Sequence, residues 1–118
     1  MDDDEIVREV TKAMLIDLGY KISLAKNGAE AIEVYQEAMR FNQPFAAVIL
    51  DLTIPGGMGG KDTIQELLKI DPQVRAIVSS GYSADPVMAD YEKYGFRDVL
   101  NKPYTLQKVS TSLRKVTG

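Results

Sequence analysis

Histidine, cysteine and tryptophan are all absent from the 118 residues. Without histidine the chain has no imidazole general acid or base, no imidazole metal ligand and no phosphohistidine of its own. Without cysteine it has no disulfide framework. No apolar run approaches the ~20 residues of a membrane span, and no signal-peptide pattern opens the sequence. A cytoplasmic protein without membrane contact is therefore expected. No Lys/Arg run offsets the formal charge of -3, which argues against electrostatic binding of nucleic acid through this domain. Internal repeats, linkers and low-complexity segments are missing too. What is present, 45% hydrophobic residues in 118, suffices for one compact domain with a real core.

The stretch from Ala46 to Gly60 organises the rest. Ala46-Ala47-Val48-Ile49-Leu50-Asp51 is apolar until its last residue, and a loop holding Pro55 and the glycines 56, 57, 59 and 60 follows. A strand without polar alternation fits a parallel sheet covered on both faces, and such sheets bind ligands beyond their carboxyl edge. Asp51 stands at that edge. The four glycines predict either a mobile segment beside Asp51 or a close backbone approach.

Helical and strand periods alternate along the chain. A first helix runs to about Leu18 on a stripe of Ile6, Val7, Val10, Met14 and Leu18, and Gly19 ends it. A short strand follows at Lys21 to Ala25. Asn27 caps a second helix with Ala31, Ile32, Tyr35, Ala38 and Met39 on one face. Ile64, Leu67 and Leu68 mark a third helix, closed by Asp71-Pro72, before a strand from Arg75 to Ser79. A fourth helix is predicted from Ala84 to Tyr94 with Gly95 as its stop, then a strand from Asp98 to Asn101. Thr105 caps a last helix with the stripe Leu106, Val109, Leu113 and Val116. The class is α/β with a mainly parallel sheet and right-handed crossovers.

One element is missing from this alternation. The acids of Met1-Asp2-Asp3-Asp4-Glu5 directly precede a helix, where a strand would normally end. Three accounts fit: a domain truncated within or after its first strand, a sheet of four strands, or a gap filled by a neighbouring molecule. Truncation is favoured, because a lost central strand removes several apolar side chains at ~1.5–3 kcal/mol each, comparable with the ~5–15 kcal/mol stability of a whole domain.

The strand ends bring Asp2, Asp3, Asp51, Ser80 and Lys102 to one rim. This set and its order resemble the CheY-like receiver domain of two-component response regulators, over the whole chain apart from its first strand. The resemblance rests on Asp2-Asp3, Asp51, Ser80-Gly81 and Lys102-Pro103, and the loop Asp51 to Gly60 looks most like receivers of hybrid sensor histidine kinases. It implies a doubly wound, flavodoxin-like fold with helices on both faces and a phosphorelay receiver that acts as a signalling switch or relay. Asp51 would be the phosphoacceptor. Mg²⁺ would be held by Asp3, Asp51 and the Thr53 backbone carbonyl, with Asp2 acting through a water. Lys102 would offer its ammonium to phosphoryl oxygens and Ser80 its hydroxyl, and Lys102-Pro103 matches the family's cis peptide. A histidine kinase or histidine phosphotransfer domain would be the donor, a homodimer stays open, and the chain would catalyse its own phosphorylation and dephosphorylation.

The chemistry explains the residue types. A carboxylate is a weak nucleophile, and phosphoryl transfer rests on positioning and electrostatics, so neighbouring positive charge has to offset carboxylate repulsion. Two rivals remain. A haloacid-dehalogenase-like phosphatase needs a second aspartate two residues after the first, where Thr53 stands. A pseudo-receiver would bind partners without phosphorylation, against the retention of all five site residues. The pattern also departs from the family at Val99, where an aromatic often reports the hydroxyl's movement. Phe96 and Tyr104 are the nearest aromatics, and a stiff valine predicts weaker or differently routed coupling.

Overall fold

The computed structural model describes residues 1–82 and 84–118. Its sheet contains three parallel strands, β1 (Val48–Asp51), β2 (Ala76–Ser80) and β3 (Asp98–Asn101), paired in that order. Around it lie α1 (Glu5–Asp17), α2 (Gly28–Arg40), α3 (Gly60–Ile70), α4 (Pro86–Ala89) and α5 (Leu106–Thr117). Side-chain alternation along β2 divides the core into two. Ala76 and Val78, with Leu50 of β1, meet Tyr35, Ile64, Leu67, Val87, Met88 and Phe96. Ile77, with Leu100 of β3, meets Leu15, Val109, Leu113 and Val116 of α1 and α5. Every residue of β2 is buried, as a strand covered on both faces requires. This is the doubly wound, flavodoxin-like arrangement.

Local signals set the helix starts. Asp4 accepts hydrogen bonds from the Ile6 and Val7 amides, Asn27 from Glu30 and Thr105 from Lys108, each satisfying a donor that the first turn leaves free. The stripe on α1 differs from the expected one: Leu15 is buried, whereas Ile6 and Val10 are 75% and 47% exposed. The Arg8 guanidinium donates to the Asp2 carbonyl at 2.8 Å, which turns the face of Arg8, Thr11 and Leu15 toward the sheet. At 3.6 residues per turn, Ile6 and Val10 then point the opposite way.

The fourth helix is also shorter than expected. Asp85 caps α4 by accepting from the Val87 amide at 2.9 Å, with Pro86 in the first position, where its missing N–H is harmless. The chain then tightens into a 3₁₀ turn over Tyr91–Tyr94, whose three-residue period puts both tyrosines on the side facing the core. Gly95 ends it at φ 100° and packs so close to Leu68 that a Cβ would lie 2.7 Å from Leu68 Cδ1.

The expected strand from Lys21 to Ala25 is absent, for want of a ladder partner. Its neighbour is Met1-Asp2, and the bond between them runs from the Asp2 amide to the Ala25 carbonyl at 3.0 Å. On the other side the Met1 ammonium donates to the Ile49 carbonyl at 2.7 Å, and the Asp51 amide donates to the Met1 carbonyl at 3.0 Å. That pair of bonds is the parallel pattern centred on Leu50. Met1 and Asp2 thus lie like a strand fragment between β1 and the 20–25 segment. The groove continues past Met1 between Ile22, Leu24, Val48 and Ile49, enclosing about 160 Å³. Val48 and Leu52 donate to β2 and its flank, so the Ile49 amide and Ala47 carbonyl face the groove.

Joining four Val/Ile residues ahead of Met1 is expected to raise the melting temperature by more than about 5 °C, by filling the groove and pairing those two groups. A Gly/Ser segment of equal length is expected to leave it nearly unchanged. Calorimetry on the two extended chains checks this, and equal shifts would contradict it.

Candidate functional site

Because the strands are parallel, their carboxyl ends share one edge, and the register sets Asp51 beside Ser79 and Ser80 beside Asn101. Lys102 is the next residue, and its amide donates to the Ser80 carbonyl at 3.0 Å. The Met1 fragment brings the opening acids to the same edge. The Lys102 ammonium lies 2.6 Å from Asp2 Oδ2 and 3.2 Å from Asp51 Oδ2. Asp2 and Asp51 are each only 5% exposed, while Asp3 is exposed. Residues 2, 51 and 102 therefore meet as expected.

The four opening acids divide their work. Asp4 caps α1. Asp2 Oδ1 accepts from the Asp4 amide at 3.0 Å, and buried Asp2 Oδ2 has the Lys102 ammonium as its partner at 2.6 Å. Asp2, Asp3 and Asp51 each offer a carboxylate oxygen within 4.8 Å of the others. The donor set is hard oxygen, and opposed ligands of a Mg²⁺ shell stand about 4 Å apart, so a small contraction accommodates such a cation. Three carboxylates against one ammonium leave a surplus of two negative charges in the cluster, the charge of one divalent ion. The residues fit the metal.

Burial, and then the charge of Asp2, push the Asp51 carboxyl above its usual range, with Lys102 pulling the other way. Burial alone would lower the Lys102 ammonium, but its hydrogen bond to Asp2 and the charge of Asp51 outweigh that and hold it up. Burial lowers the Met1 amine from 8.0 to about 6 against the attraction of Asp2 and Asp51.

The remaining expected residues are near but differently engaged. The Thr53 amide reaches toward Asp51 Oδ1 at 3.5 Å. Ser80 is buried, and its hydroxyl accepts from the Tyr82 amide at 2.9 Å. Lys102-Pro103 is cis. The glycine loop makes a close approach: the Gly28 amide donates to the Met58 carbonyl at 2.8 Å, and a Cβ at Gly59 would strike the Leu52 carbonyl. Val99 pairs with Val78 and packs against the first core. The sequence reading missed the Met1 amine, the Arg8 contact and a hydrogen bond between the hydroxyls of Ser79 and Tyr104. Burial pushes the Tyr104 phenol up. Its position just after Lys102-Pro103 was the available signal.

A family model described as the response regulator receiver domain matches residues 1–114. The chemotaxis protein CheY of Thermotoga maritima is 34% identical over 118 residues, covering 99% of this chain and 93% of that protein. The sensor kinase CckA of Brucella abortus is 29% identical over 98% of this chain, which spans 12% of that protein. A solved receiver domain of a sensor histidine kinase from Pseudomonas aeruginosa PAO1 has a magnesium ion coordinated in its active site cleft. It matches at a TM-score of 0.85 and 22% identity, over 100% of this chain and 93% of that one.

The amine at Met1 gives a pH dependence. Between about 6 and 8.0 the unfolded chain holds a proton that the folded chain has released, so stability rises with pH across that window by about 2–3 kcal/mol. Denaturant unfolding at both ends of the window is expected to show this rise, and acetylating the α-amine to abolish it. A flat profile for the unmodified chain would contradict the burial of the amine.

Proposed function

The chain belongs to the response regulator receiver domain family, and from that premise we propose that Asp51 is the residue through which this phosphorelay receiver takes up its phosphoryl group. The observation that supports this most directly is a buried carboxylate at the end of β1, 3.2 Å from the Lys102 ammonium and grouped with two more carboxylates. The donor is a phosphohistidine on a histidine kinase or phosphotransfer domain, since this chain has no histidine. The likeness to a sensor kinase and the loop Asp51 to Gly60 favour a receiver of the hybrid-kinase kind.

Asp3 and Asp51, with the Thr53 carbonyl, would hold Mg²⁺, and Asp2 would act through a water. When bound, the cation supplies the positive charge that lets phosphoryl oxygens approach a carboxylate. An oxygen of Asp51 forms the new bond to phosphorus as the bond to the donor nitrogen breaks, and that electron pair stays on the donor imidazole. Lys102 moves with its flexible stem from carboxylate toward phosphoryl oxygen, a compact donor suited to that exchange. Ser80 donates to another oxygen once its hydroxyl leaves the Tyr82 amide. Water later removes the group.

We also propose that residues 1–118 act as a single receiver unit in the cytoplasm, with the groove beside β1 taking a further strand. Among the described residues, no helix is long and apolar enough to cross a membrane. Family membership and Thr53 two residues after Asp51 set the dehalogenase-like phosphatase aside.

Incubation with acetyl phosphate and Mg²⁺ is expected to add one phosphoryl group by intact mass, with none on Asp51→Asn or after chelation. Lys102→Ala is expected to slow labelling on the order of a hundredfold, and Asp3→Ala to weaken Mg²⁺ binding by more than about tenfold. An unlabelled wild-type chain that binds Mg²⁺ would instead support the pseudo-receiver. With beryllofluoride as the phosphate mimic, backbone amide shifts over residues 84–104 are expected to stay small. A large concerted rearrangement there would defeat the weak coupling expected from Val99.

A further inference from the structure

Lys102 carries a long, flexible side chain that is 22% exposed, yet its ammonium bridges two particular carboxylates. Something outside the side chain has to hold its base in place. The backbone leaves β3 at Asn101, and Lys102 is tied to β2 through the Ser80 carbonyl at 3.0 Å. Two residues on, the chain is tied to β2 again. The Tyr104 ring packs against the core formed by Ile77, Leu100 and their neighbours, and its hydroxyl meets that of Ser79. Ser79 is fully buried and is the register partner of Asp51. Among the described residues its hydroxyl has no other side-chain hydrogen-bond partner.

We infer that Tyr104 is a positioning residue for Lys102, its hydroxyl clamping the Lys102-Pro103-Tyr104 turn to Ser79 so that the ammonium is held over Asp2 and Asp51. This rests on the role given to Lys102 above. The two ties bracket Lys102 on consecutive residues of β2, Ser79 and Ser80, beside the acceptor's own strand. A turn fastened only at Ser80 can pivot about that bond, and the ammonium at the end of four methylenes amplifies the pivot. Phenylalanine at 104 keeps the ring in the core and removes only the clamp.

The test compares wild type with Tyr104→Phe and Ser79→Ala, each also placed in a Lys102→Ala background. In metal-free protein, the side-chain ammonium resonance of Lys102 is expected to be shifted or lost to exchange in both single variants. In the Mg²⁺ and acetyl phosphate assay each is expected to slow labelling about tenfold, since small misplacements cost that much. The double variant Tyr104→Phe/Ser79→Ala is expected to be no slower than either alone. On the Lys102→Ala background neither substitution is expected to change the rate further.

Should Tyr104→Phe fail to fold, Ser79→Ala carries the same comparison. An unchanged Lys102 resonance, or equal slowing with and without Lys102, overturns the inference. A Lys102→Ala chain that labels at the wild-type rate overturns the role of Lys102 itself. That outcome is distinct from one in which Lys102→Ala is slow and Tyr104→Phe is normal.

Discussion

The structure turns on one ammonium shared between two buried carboxylates that are 49 residues apart in sequence, Asp2 and Asp51. Such an arrangement is not a device for stability. Taking charges out of water costs several kcal/mol per ion, and here one ammonium faces three clustered carboxylates. The fold tolerates this because hydrogen bonds absorb part of the charge: Asp2 Oδ1 accepts from the Asp4 amide, and the Thr53 amide leans toward Asp51. The remainder, two negative charges spread over the three carboxylates, is what a divalent cation at this rim would offset.

Everything that delivers these groups follows from a parallel sheet. With all strand ends on one edge, residues near positions 2, 51, 80 and 102 meet without any local sequence relation. The glycine loop is tied to its surroundings at two points. It is fastened to the start of α2 by the bond from Gly28 to Met58, while Thr63 donates its hydroxyl to the Gly59 carbonyl at 2.7 Å. Gly57, Gly59 and Gly60 lie where a Cβ would crowd its neighbours, while Gly56 takes a turn at φ 72° with open space around it, so the geometry supports a close approach beside Asp51 at three of the four glycines.

The sequence was legible where one physical signal dominated. Unbroken apolar runs gave β1 to within two residues at its start, and Asn27 and Thr105 marked helix starts because a side-chain oxygen three residues before a free amide has one evident use. The rim set Asp2, Asp3, Asp51 and Lys102 was legible because strand ends in this class converge. Where tertiary contacts decide, the reading failed. The rotation of α1 depends on a contact from Arg8 to a backbone carbonyl, which no periodicity encodes. Residues 84 to 94 divide at Asp90 into an α-helical turn at Pro86–Ala89 and a 3₁₀ turn at Tyr91–Tyr94, a change of period that the apolar spacing does not mark. The 21–25 segment has strand composition without a partner, and pairing, not propensity, makes a strand. The Ser79–Tyr104 contact joins residues 25 apart through side-chain hydroxyls, beyond the reach of any spacing rule.

The face formed by the 3₁₀ turn, β3 and α5 bears on how a signal leaves this domain. Asp98 on β3 accepts from Ser112 at 2.8 Å and from Lys115 at 3.1 Å, and the Lys115 ammonium lies over the Tyr91 ring at 5.7 Å. Three elements are thus cross-tied on the side where a movement of Ser80 would have to emerge. Val99 of β3, half-buried against the first core, has one favoured rotamer and no polar atom. Phe96, the aromatic on that side, is fully packed, and Tyr104 is engaged by Ser79. A stiff Val99, a packed Phe96 and an engaged Tyr104 support the weak outward coupling proposed above, since a conformational relay requires an element with two arrangements. The proposed receiver of the hybrid-kinase kind is consistent with such coupling, because handing a phosphoryl group onward requires its capture and release rather than a rearranged surface.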